Sequence, residues 1–156
     1  MVFYPLTITL HIIFAGIWIA GFITDIILKS FISNTKEINL LKDKVGLYLS
    51  SSNLFGMIGA SGILLTGIFM VSLNPGYGFF DMSSNHWLAT KQILMVFILL
   101  LIFAFLIPKA KKLRLALSED QNENQPYLAK LISLNRTVHI IVLINFLLAI
   151  THRFIS

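Results

Sequence analysis

The stretch 87–107, WLATKQILMVFILLLIFAFLI, decides the fold of this chain. It carries a single charged residue, Lys91. Because an α-helix rises about 1.5 Å per residue, the stretch is long enough to cross the roughly 30 Å of hydrocarbon in a bilayer. A lipid-embedded strand would have to belong to a closed barrel and show alternating polar and apolar side chains, which are missing here. The stretch therefore predicts a transmembrane helix.

Three further apolar runs, at 6–28, 47–73 and 131–150, have the same character. The whole chain is 56% hydrophobic and 12% charged, whereas about a quarter of the residues in a soluble domain are charged. We predict an all-α protein, a single four-helix transmembrane bundle over residues 1–156 that contacts the lipid bilayer. Its predicted spans cover about 5–29, 46–73, 86–108 and 130–153.

The basic residues fall on two of the three predicted connections. The first connection contains Lys29, Lys36, Lys42 and Lys44, and the third contains Lys109, Lys111, Lys112, Arg114 and Lys130. The second, 74–86, contains neither Lys nor Arg. The positive-inside rule then predicts an N-out/C-out, multi-pass protein of the plasma (inner) membrane. The net charge of +5 is explained by this topology and does not indicate nucleic-acid binding.

Local signals predict where the helices end. Pro108 is expected to end the third helix, because a proline has no amide hydrogen to donate. Residues 35–44 are expected to form a short interfacial helix, and the polar stretch 118–126 a mobile loop.

Polar residues inside a span need a reason, because a charge at the bilayer centre costs about 2.5–3.5 kcal/mol. His11, Trp18 and Asp25 are spaced by seven, so they form one stripe that we expect to face the bundle interior. Asp25 is predicted to pair with Arg136 towards the cytoplasmic side. His86 and His152 are expected at the interface, and the role of His139 stays open.

His11 and Lys91 are predicted to lie at the same depth. Counting from Pro5 and from His86, the helical rise places them about 9 Å and about 7.5 Å from the outer end. A neutral imidazole is a common haem iron ligand, with Asn145 or a backbone carbonyl holding its second nitrogen. Lys91 could be a second ligand or could bind a carboxylate of the ring. The simpler alternatives are an interhelical hydrogen bond for His11 and snorkelling for Lys91.

Small residues mark one face of the second helix and would let another helix, or a flat ring, approach closely. Packing alone is enough to explain this face. Its members are Gly56, Gly59, Ala60, Ile63, Thr66 and Gly67.

Two motifs carry a resemblance to a known family. His11, Trp18 and Gly21 within LHIIFAGIWIAGF, and Trp87 followed four residues later by Lys91, resemble motifs of the HemJ-type protoporphyrinogen oxidases. The resemblance implies haem b, with His11 as the iron ligand and His11 and Lys91 as catalytic residues. Trp18 and Trp87 would then help to bind the cofactor. The implied reaction is oxidation of protoporphyrinogen IX to protoporphyrin IX, with a quinone or another carrier taking the electrons.

Two other classes of function stay open. The CopD-like copper-resistance membrane proteins share the His and Trp-x3-Lys theme more loosely, but copper handling needs clustered Met and His ligands. The five methionines of this chain form no evident series. The third class is a non-enzymatic subunit of a larger membrane complex, or of a homo-oligomer. Whether the chain is an enzyme therefore stays open at the level of sequence.

Overall fold

The computed structural model describes residues 3–35, 37–118 and 124–155, and within these ranges it contains helices and no strand. A five-residue π-helical segment, Ile102–Leu106, joins the third and fourth helices into one continuous rod. We refer to it as the π-segment. The helices are α1 (Phe3–Ser33), α2 (Ile38–Leu73), α3 (His86–Leu101), α4 (Ile107–Ser118) and α5 (Asn124–Ile155).

Four of these rods are long and apolar enough to cross a membrane, so the chain is a multi-pass membrane protein. The spans are Phe3–Ser33, Asn39–Leu73, His86–Leu117 and Tyr127–Thr151. Large apolar side chains such as Ile12, Leu65 and Phe103 cover the outer surface of the bundle. So large an apolar surface would be unusual on a soluble protein, where it would face water, but it is compatible with contact to lipid. The prediction of an all-α chain with four helices long and apolar enough to span a membrane is confirmed.

The prediction that Pro108 ends the third helix is wrong, because α4 continues through it to Ser118. In a regular α-helix the proline ring would clash with the carbonyl of Ala104 and leave it without a donor. The π-segment lies directly before Pro108, and the Ile107 amide donates to the carbonyl of Ile102, five residues back. This wider turn changes the hydrogen-bond register where the proline would otherwise break it. As a result Lys109, Lys111, Lys112 and Arg114 lie on a helix.

Two further boundaries differ from the sequence prediction. The separate interfacial helix at 35–44 does not form, because α2 already begins at Ile38 and runs without a break to Leu73. The loop predicted at 118–126 is wrong at both of its ends, since α4 includes Ser118 and α5 begins at Asn124. Residues 119–123 lie outside the described part of the chain. Apolar periodicity marks the lipid-embedded core of a helix, and these helices continue beyond it.

The helices pack as two pairs, α1 with α2 and the α3–α4 rod with α5. Glycines allow α1 and α2 to approach closely: a Cβ on Gly59 would lie 2.8 Å from Cβ of Trp18, and one on Gly21 would lie 2.6 Å from Cβ of Phe55. Close backbone approach through small residues is how helices associate in lipid, where burial of apolar surface gives little driving force.

The bundle has two ends. The loop end holds the start of α1, the 74–85 connection and the start of α3; the basic end holds the 34–37 connection, α4 and the start of α5. All four spans meet in an apolar core at the basic end, which includes Leu28, Tyr48, Leu113 and Leu131. A second core lies nearer the middle and contains Trp18, Ala60, Met95, Ile98 and Val138.

Candidate functional site

His11 lies on α1 near the loop end, half-buried against α2. Its Nδ1 is 2.8 Å from Oγ1 of Thr66, and that hydroxyl donates its proton to the carbonyl of Gly62 at 2.6 Å. With its single proton directed to Gly62, the Thr66 hydroxyl can accept a hydrogen bond from Nδ1–H of His11. This arrangement favours the tautomer whose Nε2 carries the lone pair, which is a form that binds metals.

The second predicted residue, Lys91, lies on α3. Its Nζ is 4.8 Å from the centre of the Trp87 ring, an arrangement typical of a cation–π contact. Trp87 in turn meets Tyr77 edge to face, with ring centres 6.4 Å apart. Lys91 is also close enough to His11 for its charge to act on the imidazole. Lys91 and Trp87 thus lie together at the start of α3, with His11 within reach of the Lys91 charge.

Two buried amide groups near Lys91 have atoms without a partner among the described residues. The Asn145 Nδ2 donates to the carbonyl of Lys91 at 3.4 Å, but Oδ1 of Asn145 and Nε2 of Gln92 make no hydrogen bond. Leaving such a group unsatisfied costs about 1–3 kcal/mol, which a bound polar molecule would recover. The sequence predicted that Asn145 or a backbone carbonyl holds the second nitrogen of His11, whereas the side chain that contacts Nδ1 is Thr66.

The 74–85 connection folds over this region through hydrogen bonds. The Phe80 amide donates to Oε1 of Gln92 at 2.5 Å, which ties the loop to α3. Asp81 accepts hydrogen bonds from the hydroxyls and amides of Ser83 and Ser84, and these donors lower the pKa of its carboxyl. The loop therefore covers the loop end as an ordered turn.

Trp18 lies elsewhere. It is 3% exposed and packs in the central core, about 10 Å along α1 from His11 by the helical rise. The stripe of His11, Trp18 and Asp25 does face inward, since Trp18 and Asp25 are both buried and His11 contacts α2. The two tryptophans predicted to bind one cofactor are thus on different levels of the bundle.

Asp25 is the centre of a buried polar cluster towards the basic end. Its Oδ2 is 2.5 Å from Nζ of Lys29 and 3.7 Å from Nδ1 of His139, and its Oδ1 accepts from Asn135 at 2.9 Å. The Asn135 amide also lies within 3.0 Å of the Tyr48 hydroxyl. Four side chains therefore surround one carboxylate inside the bundle.

The predicted pair of Asp25 with Arg136 is wrong. Arg136 is on the exposed surface of α5, whereas Asn135 and His139 are buried. Successive residues of a helix are rotated by about 100°, so residues 135 and 139, four apart, lie on one face, whereas Arg136 points away from it. Sequence reasoning missed Asn135 because it carries no charge; its spacing of four from His139 was the available signal.

The same cluster borders a cavity of about 550 Å³ between α2 and the α3–α4 rod. We call it the α2–α4 groove. His139 and Asn135 form part of its inner wall, and Arg114 spans its basic end by donating to the carbonyl of Leu49 at 3.4 Å. The rest of the lining is mostly apolar and includes Trp18, Gly56, Met57, Leu64, Ile102 and Phe103.

His86 takes no part in either region. It is exposed at the start of α3. The side chain of His152 lies outside the described side chains. Within the described residues, no group of three or more His, Cys, Asp or Glu side chains is arranged to hold a metal ion. Comparison with protein-family models, curated proteins and solved structures gives no match for this chain.

Proposed function

We propose that this chain is a haem-b-binding membrane redox protein of the HemJ type, which oxidises protoporphyrinogen IX to protoporphyrin IX. The observation that carries the proposal is the hydrogen bond from His11 to Thr66, because it leaves Nε2 of His11 free as a ligand. Haem iron needs only one or two axial donors from the protein, so a single prepared histidine is sufficient.

The residues near the loop end fit such a group. His11 would hold the iron through Nε2, while the ammonium of Lys91, positioned by Trp87, would bind a ring carboxylate. The unpaired amide atoms of Gln92 and Asn145 offer one donor and one acceptor beside it. Bound haem supplies one-electron chemistry. The protein's own part is to orient the imidazole through Thr66 and to cover the site with the 74–85 connection.

We further propose that the chain lies in the plasma (inner) membrane with both termini and the loop end outside. The support is the distribution of charge: Lys and Arg are absent from 74–86 and abundant at the basic end. The proposed haem would then lie in the outer leaflet.

The test is the visible spectrum of purified protein. We expect wild-type protein, expressed with ample haem, to show a Soret band at one haem per chain, and His11→Ala to lose it. His86→Ala is the matched control, since it removes an exposed histidine at the same end and should keep the band. Lys91→Ala should shift the band if Lys91 is a ligand. If it binds a ring carboxylate, the variant should instead weaken porphyrinogen binding and leave the band in place.

Absence of Soret absorption in gently purified wild-type protein would contradict the proposal. A non-enzymatic role in a larger membrane complex would then be the better interpretation. Should the band persist in His11→Ala and disappear in His139→Ala, the haem would belong in the α2–α4 groove, and the assignment of the site would be wrong.

A further inference from the structure

We propose that the α2–α4 groove binds a lipid-soluble quinone, with its ring beside His139 and its apolar tail along α2 and the π-segment. The proposal deepens the redox function above by naming the class of electron acceptor. Binding itself does not require haem, so the two proposals can be tested separately.

The groove has the size and position for such a ligand. Its volume of about 550 Å³ lies within the roughly 300–1,000 Å³ of typical small-molecule sites. Met57 and Phe103 line it and are 60% and 65% exposed on the outer surface of the bundle, so the groove opens sideways towards lipid. A ligand dissolved in the bilayer could therefore enter without crossing water.

The polar wall supplies what a quinone ring needs. His139 is 6% exposed, lines the groove, and has an Nδ1 that makes no hydrogen bond and lies 3.7 Å from Oδ2 of Asp25. Nδ1 and Nε2 point in widely different directions from the ring, so Nε2 does not face Asp25. A protonated ring would donate to a quinone carbonyl, and a neutral ring would accept from the hydroxyl of a quinol.

The backbone of the groove is unusual at the same place. The π-segment contributes Ile102, Phe103 and Leu106 to the lining. Single π-helical turns inside α-helices occur frequently at functional sites, since they widen the helix and redirect side chains. This observation is independent of the polar cluster.

A phospholipid explains the groove less well. Lys111 and Arg114 lie at its basic end and would suit a phosphate group. Acyl chains extending from there would place hydrocarbon against His139, which lies about 12 Å along α5 from Leu131. The buried polar ring would then stay without a partner. A ligand with its polar ring inside the bundle fits the arrangement better.

Quenching of Trp18 fluorescence provides the measurement. Trp18 lines the groove and is one of two tryptophans, so Trp87→Phe makes it the single reporter. We expect decylubiquinone, titrated into this variant in lipid nanodiscs, to quench Trp18 in a saturable way. His139→Phe keeps the ring volume but removes both nitrogens, and should raise the dissociation constant about tenfold or more.

Gly56→Leu supplies a second variant that does not touch the polar cluster. A Cβ on Gly56 meets nothing within 4 Å, so leucine should fold while filling the groove, and should abolish saturable quenching. Gly46→Leu is the matched control on the same helix: its Cβ also meets nothing within 4 Å, and Gly46 is not part of the lining. It should bind decylubiquinone as the parent does.

Three results would overturn the proposal. Quenching could rise without saturation in the parent protein, or it could saturate equally in Gly56→Leu. Alternatively, a brominated phospholipid could quench Trp18 and resist displacement by decylubiquinone, which would identify a lipid site. Because quinone binding does not require haem, the titrations can be run on haem-free protein, so failure of the haem proposal is distinguishable.

Discussion

The pairing of His11 with Thr66 shows how far single residues can be predicted in this chain. The helical rise alone predicts that His11 and Lys91 lie at one level, because each is counted from a helix start that the sequence marks. The partner of His11 was not predictable, since it depends on how α2 is rotated against α1. Small residues indicated a face of α2 that another helix or a flat ring could approach, but not that the helix is α1 or that the imidazole would meet Thr66.

Thr66 should control the affinity for haem if it fixes the tautomer of His11. We expect Thr66→Val to weaken haem binding about 10- to 100-fold, because outer-shell partners of a ligating histidine have effects of this size. Thr66→Ser should keep most of the affinity. Haem titrations followed at the Soret band measure this. Thr9→Val is the control, as the Thr9 hydroxyl only bonds its own helix; equal losses in Thr9→Val and Thr66→Val would contradict the role of Thr66.

Asp25 should matter for stability and Arg136 should not. Asp25→Asn removes the negative charge that compensates Lys29, which is 22% exposed, and leaves His139 without its carboxylate. We expect a loss of about 1–3 kcal/mol, less than for a fully buried pair because Lys29 reaches the surface. Thermal melts in detergent would measure it. Arg136→Gln is the control and should stay within about 0.5 kcal/mol; a larger effect there would restore the original pairing.

Helices were easier to predict than their ends. Long apolar runs left one possible secondary structure in lipid, so the four spans followed from composition and length. The predicted helix ends were wrong where a local rule was overridden. Pro108 is accommodated by the π-segment, and residues 38–45 simply continue α2. Helix hydrogen bonds extend past the apolar part wherever nothing interrupts them.

Close contact between α1 and α2 should be sensitive to one added methyl group. Gly59→Ala would place Cβ 2.8 Å from Cβ of Trp18, which forces the two helices apart and should cost about 1–3 kcal/mol. Gly16→Ala is the matched control, since a Cβ there meets nothing within 4 Å, and it should be neutral or stabilising by up to about 1 kcal/mol. Melting of both variants in detergent gives the comparison. If Gly59→Ala melted like Gly16→Ala, the two helices would pack less closely than described.

At the scale of the whole molecule, the two pairs of helices join in two apolar cores, one at the basic end and one nearer the middle of the bundle. Each core draws residues from all four spans. The candidate haem site lies beyond both cores, at the loop end. This arrangement was not visible in the sequence, because it depends on which helices are neighbours.

Orientation in the membrane is testable on intact cells. Ser84 in the 74–85 connection and Glu37 between α1 and α2 are both exposed, and the natural chain has no cysteine to interfere. We expect a membrane-impermeant maleimide to label Ser84→Cys and not Glu37→Cys, because the basic residues gather at the end that holds Glu37. Labelling after lysis is the control for reactivity. The opposite pattern would move the proposed haem site to the cytoplasmic leaflet.

The π-segment also changes the rotational alignment within the most apolar of the four spans. The wide turn between Leu101 and Ile107 contains one residue more than an α-helical turn. Because each residue of an α-helix corresponds to about 100° of rotation, the extra residue rotates α4 by that angle relative to α3. Everything that follows, including Leu113 in the core and Arg114 over Leu49, is therefore aimed by this single wide turn. Without it, every face of α4 would be rotated by about 100° relative to α3. The two halves of the rod are thus aligned independently with their neighbours, although the chain between them never leaves the helix.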